Sequence, residues 1–182
     1  MVEIGGNGPR RGVSPWRLVG WGGAAALLLL PAVAMRFTTK VDWGPEDFIT
    51  FGVMLAVAGG ALEVAVRMSG NWAYRAGAGV AVATGFLLLW ANLAVGVIGS
   101  EDNPANLMFH GVLLVGIIGA ILARFRPRGM SLAVAAMALA QLLAFVVGVV
   151  AGWGETPVVT VVFAGLWLTS AWLFRKAARE EG

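Results

Sequence analysis

The chain has 182 residues, of which 59% are hydrophobic and only 13% charged, with a formal net charge of +3 and no cysteine. Soluble domains carry about 25% charged residues, so this composition excludes an ordinary soluble protein. The lack of thiols excludes disulfides, thiolate metal sites and thiol redox chemistry.

Residues 1–15, with Gly5, Gly6, Asn7, Gly8 and Pro9, read as a flexible cytoplasmic tail. Six apolar stretches follow: Trp16–Met35, Glu46–Met68, Ala76–Gly99, Ala105–Arg124, Met130–Gly152 and Pro157–Arg175. Each is about long enough to cross the roughly 30 Å hydrocarbon core as a helix. The predicted fold class is therefore all-α, a polytopic membrane protein of six transmembrane helices in a compact bundle. Residues 16–175 form the transmembrane domain and 176–182 a second cytoplasmic tail. The connections are short, which makes sequential helices antiparallel neighbours. The first stretch has a second reading. Arg10, Arg11 and Arg17 precede an apolar run ending Pro31-Ala32-Val33-Ala34, the small-residue pattern of a signal-peptidase site. Its full length suffices to span, which favours a retained helix kinked near its outer end at Pro31.

Basic residues orient these spans. With a cytoplasmic N-terminus, the inner segments hold Arg10, Arg11, Arg17, Arg67, Arg75, Arg124, Arg126, Arg128, Arg175, Lys176 and Arg179, and the outer segments hold only Arg36 and Lys40. This split obeys the positive-inside rule at every loop and predicts both termini in the cytoplasm. At span ends the same charges meet anionic headgroups, so membrane lipids are expected partners and nucleic acid is not.

A weak internal repeat appears when Pro45 is laid on Pro104. Phe51-Gly52-Val53-Met54-Leu55 then falls on His110-Gly111-Val112-Leu113-Leu114, and Arg67 falls on Arg126. Duplicated helical hairpins give this pattern, and so does the general rule that proline opens and arginine closes an apolar helix. The 26 glycines fall in patterns such as Gly148-x-x-x-Gly152, Gly116-x-x-Gly119 and Gly96-x-x-Gly99. Such patterns let helix backbones approach closely, within the chain, in a homo-oligomer or in a larger membrane complex.

Polar residues inside spans are costly and mark candidate sites. Glu63 precedes Arg67 by four residues, the favourable order for a helical ion pair, with a proton or ion relay as the sharper alternative. Asn92 and Gln141 are suited to clip helices together by hydrogen bonds. Thr84, Thr160, Thr169 and Ser170 are expected to bond to carbonyls of their own helix. His110, the sole histidine, lies one turn after Asn106; binding a metal or passing a proton are its sharper readings, but one histidine without cysteine is a poor transition-metal site, and a histidine satisfied between helices is expected. Trp16, Trp21, Trp43, Trp72, Trp153 and Tyr74 are expected in interfacial aromatic belts, and Trp90, Trp167 and Trp172 in packing or lipid contacts.

The outer loops carry Asp42, Glu46, Asp47, Glu101, Asp102 and Glu155 against Arg36 and Lys40. Oxygen ligands at that density suit Ca²⁺, Mg²⁺ or a cationic solute, with Asn103, Asn106 and His110 as further donors. Acids near helix N-termini also complement the helix dipole, and Asn103 before Pro104 looks like cap chemistry. The spacing matches no calcium loop. Glu101, Asp102, Asn103, Asn106 and His110 are therefore the candidate outer-face site, and Glu63, Asn92 and Gln141 the candidate intramembrane polar residues.

The run Asn92-Leu93-Ala94-Val95-Gly96-Val97-Ile98, continued by Gly99-Ser100-Glu101-Asp102-Asn103-Pro104-Ala105-Asn106-Leu107, resembles a group of small uncharacterised bacterial integral membrane proteins. The resemblance covers roughly Met35 to Arg128 and is specific in the third loop. It implies a bacterial inner-membrane setting and supplies no activity, cofactor or catalytic residue.

Three functions compete at this level. A structural or accessory membrane protein fits the scarcity of intramembrane charge. A small transporter or channel with an acidic outer-face cation or proton site needs Asn92, His110, Gln141 and Glu63 to face one interior. A lipid-modifying enzyme would use His110 with Glu101 or Asp102 as acid and base; without a nucleophile motif or a metal-ligand set, the reading leans away from an enzyme and from any cofactor.

Overall fold

Proline opens four of the six helices and the 3-10 turn that leads into a fifth, because its fixed φ suits a first turn where the missing N–H has no partner to lose. The structure, a computed structural model, describes residues 15–100, 102–154 and 156–182. Among them every regular element is helical: α1 (Pro15–Ala34), α2 (Pro45–Met68), α3 (Trp72–Ala94), α4 (Leu107–Leu122), α5 (Pro127–Val150) and α6 (Pro157–Glu180). A 3-10 turn over Pro104–Asn106 leads into α4. Counting that turn with α4, all six are long and apolar enough to cross a membrane. Residues 1–14, most of the expected N-terminal tail, lie outside the described residues, as do Glu101 and Glu155. Pro127 opens a helix antiparallel to those opened by Pro104 and Pro157. Proline thus stands at helix starts generally, as the boundary rule expects, and by itself does not separate that rule from duplicated hairpins.

Helix α3 lacks a proline and is started by a cap instead. Asn71 Oδ1 accepts the N–H groups of Ala73 at 2.8 Å and Tyr74 at 3.2 Å. This moves the start one turn ahead of the expected Ala76. The helix also stops at Ala94 rather than Gly99, because the chain turns through Gly96 at φ 71°. Gly99 and Gly152 likewise have positive φ, 71° and 69°. These three glycines shape loops and are not helix contacts, a correction to the small-residue pattern. At the other end of the chain, α6 runs past Arg175 through Glu180, with Ala177 fully buried, so the segment expected as a tail is mostly helix.

Packing divides the chain into two units, Met1–Gly59 and Gly60–Gly182. In the first, Trp21 lies over Gly59 and Leu28 over Gly52. Trp43 meets Phe48 and Phe51 edge-on at 5.3 and 5.5 Å between ring centres. The start of α2 is closed reciprocally: Gly44 N donates to Asp47 Oδ2 at 2.9 Å, while Asp47 N donates to Gly44 O at 3.2 Å. One of the expected outer acids thus serves as a helix cap.

The second unit holds the end of α2 from Gly60 and all of α3 to α6, with α5 between α4 and α6, and α3 against α6 and α4. Its interior packs Leu88, Phe109, Val112, Met137, Trp167 and Phe174. Glycine sets the helix separations. A Cβ at Gly119 would lie 2.6 Å from Ala133 Cβ, and one at Gly77 would lie 3.3 Å from Phe174. At Gly116 the added atom would collide with Met137 Sδ. Hydroxyls clip the same helices: Ser131 Oγ donates to Ala171 O at 2.9 Å and Ser170 Oγ to Gly77 O at 2.8 Å. Ser170 was expected to bond within its own helix and instead reaches across to α3. Leu87, Leu114, Ile117, Leu132, Leu139 and Leu143 are exposed on this unit. A surface so apolar is suited to lipid rather than water, and the chain is a multi-pass membrane protein.

Candidate functional site

At one end of the second unit, the loop between α3 and α4 is organised by Asn106. Its Oδ1 accepts the N–H of Ile98 at 2.8 Å and of Val97 at 3.0 Å, and its Nδ2 donates to Ser100 O at 2.7 Å. The side chain is 4% exposed and stands in for the backbone pairing that the turn cannot supply. Asn103 caps the 3-10 turn, its Oδ1 accepting Ala105 N–H at 3.0 Å. His110 places Nδ1 3.3 Å from the Asn106 carbonyl oxygen, one turn back on its own helix. These residues converge with Asn92 and Asp102 on an open cleft of about 420 Å³, walled by Leu93, Pro104 and Leu107.

The cleft therefore gathers Asp102, Asn103, Asn106 and His110 from the outer-face set and adds Asn92 from the intramembrane set. Glu101 lies outside the described residues. Much of the polar capacity gathered there is already committed to loop and cap bonds. What lines the cleft outside those bonds is Asp102 and the remaining ring nitrogen of His110; Asn92 also borders it, but its Oδ1 is buried. Asn92 is 3% exposed; its Nδ2 donates to Leu88 O at 2.8 Å and its Oδ1 has no partner. Among the described residues, no group of three His, Asp or Glu side chains comes together as metal ligands.

Glu63 and Gln141 stand apart from this cleft. Glu63 Oε2 accepts from Arg67 Nη2 at 2.9 Å, the expected pair within one helix. Gln141 is completely buried and neither amide atom has a partner. Register gives its depth. Ten residues back along α5 from Gln141 is Ser131, bonded to Ala171; ten back along α6 from Ala171 is Val161, next to Thr160. On the other side, Gly85 faces Trp167, so Asn92, two turns on, lies level with Thr160, two turns back. Asn92 Oδ1, the Gln141 amide and Thr160 Oγ1 thus share one layer of the interior, with Trp167 Nε1 about two turns deeper; all are buried and unpartnered.

Some of this was hidden in the sequence. Thr84 and Thr169 bond to Val80 O and Gly165 O as expected, but Thr160 does not bond to its own helix. Tyr74, expected in an aromatic belt, is 2% exposed; it donates to Phe125 O at 2.9 Å and meets Phe174 edge-on at 5.1 Å. Asn71 directly before Trp72 carried the one readable cap signal that the apolar pattern overrode. Compared with known proteins, the chain matches no family model, no curated protein and no solved structure.

Proposed function

We propose that the chain is a structural or accessory component of a bacterial inner membrane, with both termini cytoplasmic, that packs with itself or into a larger membrane complex. The observation that carries this reading is the closure of the second unit at its Tyr74 end. There Gly77 sits against Leu173 and Phe174, Gly119 against Ala133, and Tyr74, Ser131 and Ser170 are all bonded to neighbouring backbone. A polar path that begins at the Asn92 cleft meets apolar contact at this level and has nowhere to continue. The pairing of Glu63 with Arg67 supports the same reading, since it leaves that carboxylate in a structural ion pair. Reconstitution into vesicles tests it: imposed gradients of H⁺, Na⁺ and K⁺ decay no faster than in protein-free vesicles. A flux that disappears in Gln141→Leu overturns the proposal.

One observation favours a second reading, a small transporter with a cation or proton site at this cleft. Asn92 lines the open cleft and also presents a buried, unpartnered acceptor beside the Gln141 layer. Calorimetric titration with Ca²⁺ and Mg²⁺ separates the two. Saturable heat lost in Asp102→Asn supports the second reading, and heats equal to dilution support the first.

A further inference from the structure

The charges at the Tyr74 end are segregated. Glu180 accepts from Asn71 Nδ2 at 2.9 Å and Glu181 from Ser69 Oγ at 3.4 Å, so both acids at the end of α6 turn toward the connection between α2 and α3. Arg75 faces the same connection, donating to Ser69 O and Val66 O. Among the described residues, Arg175, Lys176 and Arg179 make no ion pair with these acids, although Lys176 is one turn before Glu180. Together with Trp172 they line a cleft of about 340 Å³. Lys176 Nζ is held 4.3 Å from the centre of the Trp72 ring and 5.9 Å from that of Trp172, which orders its ammonium without neutralising it. The spacing Trp172, Arg175, Lys176, Arg179 keeps the four residues on one helical face.

From this arrangement we infer that the α6 cleft binds the phosphate headgroup of an anionic phospholipid. Three cations with no carboxylate paired to them among the described residues leave a positive cleft that an anionic phosphate complements. Two exposed tryptophans place the cleft at headgroup depth, where indole rings collect. A lipid fits better than free phosphate because the same face continues away from the cleft as exposed Trp172, Leu168 and Val161, a strip along which an acyl chain can lie. Either leaflet would satisfy the site, so the inference does not depend on which way the chain is oriented.

The test uses the full chain, stripped of lipid in neutral detergent, with its unfolding temperature followed as lipid is added. Phosphatidylglycerol is expected to raise that temperature saturably, and phosphatidylcholine and inorganic phosphate are expected to leave it unchanged. Removing two headgroup-level cations in R175Q/R179Q should weaken half-saturation roughly thirtyfold. R124Q/R126Q removes the same charge from the turn between α4 and α5 and should leave it intact. Equal weakening in both double variants, no weakening in R175Q/R179Q, or an equal rise with phosphate alone each overturns the inference. An independent reading needs no arginine variant: phosphatidylglycerol with brominated tails quenches the wild type more than Trp172→Phe, and equal quenching overturns the placement.

Discussion

Asn106 Oδ1 accepts the backbone N–H of Ile98, a residue only 2% exposed, at 2.8 Å. The pair holds the loop after α3 against the start of α4 and makes Asn106 a loop clamp before it is anything else. Asn106→Ala strands the N–H groups of Ile98 and Val97, each costing about 1–3 kcal/mol when buried without a partner. Asn106→Asp keeps the oxygen that accepts both N–H groups, loses the Nδ2 bond to Ser100 O, and should recover part of the loss. Unfolding in mixed micelles, followed by circular dichroism, checks the order wild type, Asp, Ala.

The α4 and α5 contact rests on a missing methyl. Gly119→Ala places Cβ 2.6 Å from Ala133 Cβ and 3.2 Å from its Cα, so the helices must separate. Overpacking of this kind costs about 1–3 kcal/mol. Gly111→Ala on the same helix meets nothing within 4 Å, and should be neutral or raise stability by up to about 1 kcal/mol through helix propensity. The two variants compared in one unfolding series give opposite signs if contact, rather than composition, sets the role of each glycine.

Gln141 hides a carboxamide with no partner at either atom. Replacing a buried, unpaired polar group by an apolar one of similar size removes a desolvation cost of about 1–3 kcal/mol. Gln141→Leu is therefore expected to unfold at higher denaturant than wild type. A large loss of stability instead would mean that the amide is paired in the membrane-embedded protein.

Tyr74 closes the turn that follows α4, where Arg124 and Phe125 adopt φ of 49° and 57°. Its hydroxyl bond to Phe125 O is the part Tyr74→Phe deletes, while the edge-on contact with Phe174 stays. The expected cost is about 0.5–1.5 kcal/mol. Faster hydrogen exchange confined to residues 120–126 would locate the effect at the turn.

The six spans were legible because twenty-odd apolar residues in a row leave few alternatives to a membrane helix. Helix ends were less so: Pro127 and Asn71 act through single first-turn bonds or missing bonds, which a hydropathy pattern averages away. The Glu63 and Arg67 pair followed from i,i+4 spacing alone. Asn92 joining Asp102, Asn103, Asn106 and His110 did not, since it depends on how α3 ends and the chain doubles back through Gly96. Ser170 reaching Gly77 and Thr160 reaching nothing were equally unreadable, because which face of α6 meets α3 is decided by packing. The acids of the loops expected on the outer side were legible as cap chemistry, and Asp47 acts that way.

The chain has no cysteine, so single cysteines can be placed without background, and their labelling from each side of sealed vesicles is the most direct test of a closed helical unit with a blind cleft. A membrane-impermeant thiol reagent should reach Asp102→Cys from one side only and Ser69→Cys from the other only. Gln141→Cys and Thr160→Cys should react from neither side. Labelling of Gln141→Cys from both sides would contradict the account and show a continuous aqueous path through α3 to α6.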